Sequence, residues 1–300
     1  MALEQEIWTT RSILEWTHQY FQSKEIPSPR LDAELLLAFV CQCSRVNLYL
    51  AYDKPLSTEE RAHYRTLVKK RGDGAPVAYL IGEKGFWALN LFIEEGVLIP
   101  RPDTETLVEQ ACKLIQEWQD FHQNQTCTIL EVGTGTAAIP LALCNSLKNV
   151  FIISTDISDI AIKVASKNIE QHHHLLSPRS NQINLIRGDR FEMLDGAAEF
   201  DIILSNPPYI PTGEIAQLQK EIVRYEPIQA LDGGADGLDF YRYFFQHSAH
   251  YLKPDGQILL EIGYNQLPML QEILPDYLKL NQVVQDLQSH PRVCHLKRCA

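Results

Sequence analysis

The sequence predicts an α/β protein in which a largely parallel, doubly wound sheet follows a small helical domain. Three observations carry that prediction. From residue 126 onward, short apolar runs alternate with stretches of helical periodicity, the pattern of strands joined by crossover helices. Before residue 85 only helical patterns occur. Between the two, Phe86 to Ile99 is strand-like, broken by "ALN" and "EEG". That stretch predicts a linking β-hairpin over 86–100, with domains at 1–85 and 86–300.

Taken in order, Thr9 or Thr10 caps a first helix with Ile13, Leu14, Trp16, Tyr20 and Phe21 on one side. Ser28-Pro29 supplies an N-cap with proline in the first turn, ahead of Leu31, Leu35, Leu36, Ala38 and Phe39. Ser57-Thr58-Glu59-Glu60 is a capping box for a helix that "GDG" at 72–74 stops. Its Arg61, Arg65 and Lys69, with Lys70 and Arg71 beside them, form either a solvated face or a docking patch for an acidic or phosphate-bearing partner. "PRPDTETL" (100–107) turns into a helix with acids in its first turn. Then "TCTILEVG", "NVFIISTD", "NQINLIRGD", "FDIILSN" and "GQILLEIG" are strands. Helices "TAAIPLALCNSL", "SDIAIKVASKNIEQH", 237–252 and "LPMLQEILP" alternate with them, and "LNQVVQDL" and "RVCHLKR" close the chain as two more strands.

Composition narrows the class. The 45% hydrophobic and 22% charged content over 300 residues is that of a globular protein. "MALEQEIW" lacks a targeting signal and the apolar run "LLLAFVC" is too short to span a bilayer, so a cytoplasmic protein without membrane contact is expected. The seven cysteines show no CxxC spacing and read as core thiols; His172-His173-His174 reads as a solvated helix end, so no metal is expected. Residues 1–85 hold 11 basic and 11 acidic side chains, so the whole net charge of −11 falls on the remainder. So acidic a body argues against stable nucleic-acid binding, which rests on phosphate neutralisation.

"EVGTGTAAI" (131–139) follows a strand and opens a helix. Gly133 and Gly135 allow a tight turn and close ligand approach. Asp156 ends the next strand, where an acid accepts ribose hydroxyls. A dinucleotide loop usually carries a third glycine and aims amides at pyrophosphate. Here the third glycine is missing, and Glu131 stands just ahead of the loop. A carboxylate repels phosphate and suits an ammonium or sulfonium group, which tilts the reading from NAD toward S-adenosylmethionine. Asp189, at the third strand end, falls near the adenine position, with Arg190 and Phe191 as candidate ring neighbours.

At the fourth strand end stands "SNPPYI" (205–210). Its prolines lack donors and hold φ near −65°, and Asn206 is pushed to an extended conformation. The corner thus presents one amide, bare carbonyls and an aromatic face. An amide or exocyclic amine nitrogen is a poor nucleophile because its lone pair is delocalised. Two acceptors on its N–H bonds, the Asn206 side-chain oxygen and the Pro207 carbonyl, would aim that lone pair at a sulfonium methyl, with Tyr209 stacked on the flat group.

With these motifs, and with "RLDAELLLA" (30–38), "PVAYLIG" (76–82), "PRPDTE" (100–105), "YEP" (225–227), "LDGGADGL" (231–238) and "EIGYNQ" (261–266), the chain resembles the release-factor glutamine methyltransferases over nearly its whole length. The resemblance implies a Rossmann-like class I S-adenosylmethionine-dependent methyltransferase sheet and an N-terminal domain that docks substrate. It implies methylation of the side-chain nitrogen (N5) of the glutamine in the Gly-Gly-Gln tripeptide of peptide chain release factors. It also implies cofactor contacts from Gly133, Thr134, Gly135, Thr136, Ala137, Asp156, Arg190 and Asn206, beside Glu131 and Asp189 read above from their charge and position. Asn206, Pro207, Pro208 and Tyr209 would hold the amide, with Asn206, Pro207 and Tyr209 catalytic. Three positions depart from the family pattern: Glu131 for Asp, Ala137 for Gly, and Arg190 for an aromatic. "NPPY" is shared with nucleic-acid amino-methyltransferases acting on adenine N6 or guanine N2, the alternative enzyme. A non-catalytic adaptor would have no use for both that corner and a ribose acid.

Overall fold

The computed structural model describes residues 8–194, 196 and 199–299; the stretch 1–7, read above for targeting signals, lies outside the described residues. The chain forms two compact units, Met1–Gly82 and Glu83–Ala300.

The first unit is helical: α1 (Thr10–Ser23), α2 (Pro29–Val40), α3 (Arg45–Leu50), α4 (Thr58–Gly72) and α5 (Val77–Ile81). Thr9 caps α1, and Ser57 and Glu60 cap α4 reciprocally, at 2.7 and 3.1 Å. Its core gathers Leu14, Phe21, Leu36, Leu37, Tyr64 and Val68. α2 is turned from the expected face: Leu31 and Phe39 are exposed, whereas Asp32 and Glu34 are buried. Both carboxylates meet arginines inside. Asp32 pairs with Arg71 at 2.7 Å, and Glu34 with Arg30 and Arg45 at 2.6 and 2.7 Å. Arg71 therefore leaves the basic face predicted for α4. Periodicity places charges outward, and only the paired arginines make their burial tolerable.

The second unit opens with a hairpin of β1 (Glu83–Phe86) and β2 (Leu89–Phe92). Trp87 and Ala88 both take positive φ, 48° and 59°, the two-residue turn that matches strand twist. The hairpin is thus shorter and earlier than 86–100, and residues 93–100 run on as irregular chain. After a 3₁₀ turn at Pro102–Thr104 come α6 (Glu105–Phe121), β3 (Cys127–Val132), α7 (Ala138–Ser146), β4 (Val150–Asp156), α8 (Asp159–Gln171), β5 (Gln182–Arg187) and β6 (Phe200–Ser205). α9 (Thr212–Ile215), α10 (Lys220–Tyr225), α11 (Asp239–His247), β7 (Leu252–Glu261), α12 (Leu267–Glu272), β8 (Leu278–Gln285) and β9 (Pro291–Arg298) complete it. α9 and α10 are too short for periodicity to register, and the sequence reading left them unassigned.

The sheet order is β5-β4-β3-β6-β7-β9-β8. The five strands from β5 to β7 in that order run parallel; β9 is antiparallel to β7 and β8 to β9. The doubly wound sheet is as predicted. Its order reverses between β3 and β6, which opens a crevice at their carboxyl ends. At the opposite end Asp201 accepts from Thr128 N at 2.8 Å and from Lys253 Nζ at 2.9 Å, pinning three strands together.

Asn168 of α8, fully buried, ties the hairpin to the loop after β3. Its Oδ1 accepts from Phe92 N at 2.7 Å, and its Nδ2 donates to Phe92 O and Thr136 O, each at 3.0 Å. Asn168→Ala leaves those backbone groups unmet and should lower unfolding free energy by about 1–3 kcal/mol. Urea unfolding at neutral pH measures this; an unchanged midpoint would remove the tie.

Candidate active site

The crevice holds a cavity of about 350 Å³, lined among others by Gly133, Gly135, Asp156, Asp189, Arg190, Asn206 and Pro208. Four successive strand ends of the parallel sheet therefore converge, as the sequence reading requires. Gly133 and Gly135 have φ of 86° and 56°, and the carbonyl of Thr155 accepts from Gly133 N and Thr134 N at 2.9 Å. Ala137 also lies in the left-handed region, φ 61°. Glycine would meet that conformation without cost; alanine accepts roughly 1–2 kcal/mol.

Asp156 does two jobs. Its Oδ2 accepts from Gly135 N at 2.8 Å and its Oδ1 from Ser158 N at 2.9 Å, so the carboxylate braces the turn. Each oxygen keeps a second lone pair, and the side chain lies on the cavity wall. Burial raises its pKa, opposed by those backbone donors. Glu131 is placed differently. It is buried beneath the turn, off the cavity wall, and neither carboxylate oxygen makes a hydrogen bond among the described residues. Burial pushes its pKa up to about 8, countered in part by the neighbouring Thr134 and Ser154 hydroxyls. An uncompensated acid under the loop fits a cationic group bound above it. Thr134, Thr136 and Ala137 are buried as well, so their side chains are not on the wall. Thr136 is engaged through its carbonyl with Asn168.

Arg190 and Phe191 separate clearly. Phe191 is 2% exposed and stacks on Tyr251 inside the core, so it is no ring neighbour for a ligand. Arg190 lines the cavity, its guanidinium 3.6 Å from the Tyr243 ring centroid and bonded twice to Asp189 at 2.7 Å. That guanidinium holds the Asp189 carboxyl below the usual range.

At the corner, Asn206 Nδ2 donates to Thr104 Oγ1 at 2.9 Å. Its Oδ1 and the Pro207 carbonyl accept no hydrogen bond among the described residues. Pro207 and Tyr209 do not line the cavity; the Tyr209 ring packs on the core and its hydroxyl turns toward Glu261, at 3.4 Å. "PRPDTE" is a latch over this corner. Arg101 pairs with Glu226 at 2.5 Å, Asp103 with Arg292 at 3.1 Å, and Glu105 accepts from Trp87 N at 2.9 Å. "LDGGADGL" backs the corner: a Cβ on Gly237 would come within 2.5 Å of the Tyr209 carbonyl oxygen. Val97, Gln229 and Phe240 also line the cavity, and nothing in their local sequence marks them.

Comparison with known proteins gives the family and the fold. Residues 12–82 match the family model of the PrmC N-terminal domain, and residues 107–235 that of the methyltransferase small domain. A release factor glutamine methyltransferase of Geobacter sulfurreducens is 39% identical over 266 residues, 89% of this chain and 88% of that one. One from Rhodopirellula baltica is 35% identical over 97% of each chain. Among solved structures, the hMettl16 catalytic domain, crystallised with a MAT2A 3′UTR hairpin, shares the fold. It covers 80% of this chain and 81% of its own, at TM-score 0.51 and 19% identity.

Glu131 makes a pH-dependent prediction. Its folded pKa lies above the unfolded value, so it contributes stability at low pH that is lost as pH rises toward about 8. Glu131→Gln has no such dependence. Between pH 5 and pH 8 the ligand-free wild type should lose stability relative to Glu131→Gln, read from paired urea midpoints. A constant difference would show that Glu131 is already ionised at pH 5.

Proposed function

The chain belongs to the release factor glutamine methyltransferase family, and from that premise we propose that it methylates the N5 nitrogen of the Gly-Gly-Gln glutamine in peptide chain release factors. S-adenosylmethionine is the donor, and the cytoplasm, where translation ends, is the setting. The observation that carries this reading is the Asn206 amide: its NH₂ is occupied by Thr104, while Oδ1 and the adjacent Pro207 carbonyl remain as acceptors.

In this mechanism Asp156 would hold the donor by its ribose hydroxyls, and Asp189 and Arg190, on the same cavity wall, would take its adenine. Glu131 compensates positive charge from below. Bound there, the donor supplies an electrophilic sulfonium methyl. Asn206 Oδ1 and the Pro207 carbonyl accept from the two N–H groups of the substrate amide, which orients its lone pair along the transfer axis. Pro207 and Pro208 keep the corner from relaxing, so the rate gain comes from positioning. The amide proton leaves after transfer, and no base has to act before attack. Tyr209 supports the corner from the core side, its hydroxyl turned toward Glu261. A nucleic-acid substrate is disfavoured by the acidic second unit.

The first unit is the docking module in this reading. A groove of about 780 Å³ between α1 and α4 has Trp16 and Tyr20 along one side and Arg61, Arg65 and Lys69 along the other. Trp16 is half exposed and stacks on Tyr20, at 5.4 Å between centroids. That surface suits an acidic segment of the protein substrate.

Two measurements test these assignments. Asn206→Ala should lower turnover of a release factor by about 10²–10³ at saturating donor. Asp156→Ala should instead lower donor affinity at least tenfold by calorimetry, from ~1.5–3 kcal/mol of lost charged hydrogen bonding. Wild-type turnover in the first, or unchanged affinity in the second, would sink the corresponding role. For docking, Arg61→Glu with Arg65→Glu should raise KM for intact release factor roughly tenfold through like-charge repulsion, with kcat preserved. An unmoved KM would place docking elsewhere.

A further inference from the structure

Neither proline of the corner carries an N–H, so the stretch between Asn206 and Tyr209 cannot be tied down by donors of its own. Its start is fixed by β6, where the Ser205 hydroxyl donates to the Val132 carbonyl at 2.5 Å. A stiff segment anchored at one end still pivots as a unit, and a pivot would move the Asn206 amide and the Pro207 carbonyl together. The far end needs a hold of its own. Of the carbonyls of Pro207, Pro208 and Tyr209, that of Tyr209 alone accepts a hydrogen bond among the described residues. Its donor is a side chain, Gln266 Nε2, at 2.8 Å.

Gln266 stands just before α12 and is 2% exposed. Its Nε2 also donates to the Gly237 carbonyl at 3.1 Å, and its Oε1 accepts from Gly263 N at 2.8 Å. Backbone groups have fixed polarity. Two carbonyls call for the NH₂ end and one N–H for the oxygen, so the amide has a single orientation. The surrounding chain is fitted to it: a Cβ on Gly237 would lie 2.6 Å from Gln266 Nε2, and one on Gly263 2.9 Å from its Oε1. Two stretches singled out in the sequence, "LDGGADGL" and "EIGYNQ", thus meet at one side chain.

The peptide unit that Gln266 holds by its oxygen is held at its other edge too, where Ile210 N donates to the Leu231 carbonyl at 2.9 Å. A planar unit gripped at both edges cannot rotate about the chain axis. We infer that Gln266 is a positioning residue for methyl transfer: it clamps the Tyr209 carbonyl to the 231–238 loop and so stops the corner from pivoting. The Asn206 amide and the Pro207 carbonyl then stay where the substrate amide needs them. Gln266 does not line the cavity, so its effect passes through the corner.

The inference rests on the methyl-transfer reading for its activity readout, and the test separates the two. Gln266→Met fills similar space without either polar group. It should lower kcat on a release factor by about 10–10² while KM and calorimetric donor affinity stay within about twofold. Hydrogen exchange followed by mass spectrometry should quicken about tenfold in the peptide 205–212 and stay unchanged in β3 and β4. Gln266→Glu is the conservative variant. Its carboxyl, when neutral, accepts from Gly263 and offers one proton to a carbonyl; when ionised it offers none. Its kcat relative to wild type should therefore rise as pH falls from about 8 to about 6. Tyr209, Asp236, Asp239, Tyr241, Glu261 and Arg292, on the segments around it, are common to both proteins and cancel in that ratio. Wild-type kcat in Gln266→Met, or a loss in Gln266→Glu that does not change with pH, overturns the inference, as does donor affinity that falls in step with kcat. If the wild type transfers no methyl to release factor, the functional reading falls and exchange alone decides. Faster exchange confined to the corner and its loop supports the clamp; unchanged or uniformly faster exchange overturns it.

Discussion

Reversal of strand order between β3 and β6 is the constraint from which the rest of the second unit follows. Crossovers on either side of that point leave in opposite directions, and the strand ends stay uncovered. The opened crevice exposes polar groups that the sheet cannot satisfy. The chain answers with side chains from far away: Asp156 on the glycine turn, Asn168 on Thr136, and Thr104 on Asn206. These three groups are thus held by neighbours that also close long loops.

The latch around "PRPDTE" shows how such economy produces rigidity. Within five positions, Arg101, Asp103, Thr104 and Glu105 engage a loop acid, a strand arginine, the corner amide and the hairpin. The segment has little regular structure of its own, so its conformation is set by these four attachments together. The result is a corner fixed from three sides, with Gly237 admitting the chain from below. Rigidity of this kind suits a reaction limited by orientation.

What was legible in the sequence follows from the range of the interactions. Alternating apolar runs are local, so every strand of the large sheet and the convergence of Gly133, Asp156, Asp189 and Asn206 could be read directly. The hairpin was misplaced because Trp87 and Ala88, neither a usual turn residue, adopt left-handed conformations that only the paired strands enforce. The face of α2 was misread because Asp32 and Glu34 are buried by arginines as many as 39 residues away. Thr104 and Glu261 carry no local signature at all; each was visible only as a letter in a family motif. Phe191 looked like a ligand neighbour beside Arg190, yet a positive φ at Arg190 sends the two side chains apart.

The unpaired carboxylate of Glu131 has a consequence for thermodynamic bookkeeping during turnover. An acid that is neutral in the empty site and ionised beneath a cation gives up a proton to solvent when the cation arrives. Heat measured for donor binding then contains the ionisation enthalpy of whichever buffer takes that proton. Loss of the sulfonium charge in the demethylated product reverses the exchange. In the proposed reading, donor and product are therefore distinguished partly by proton activity, and alkaline conditions shift the competition toward the donor.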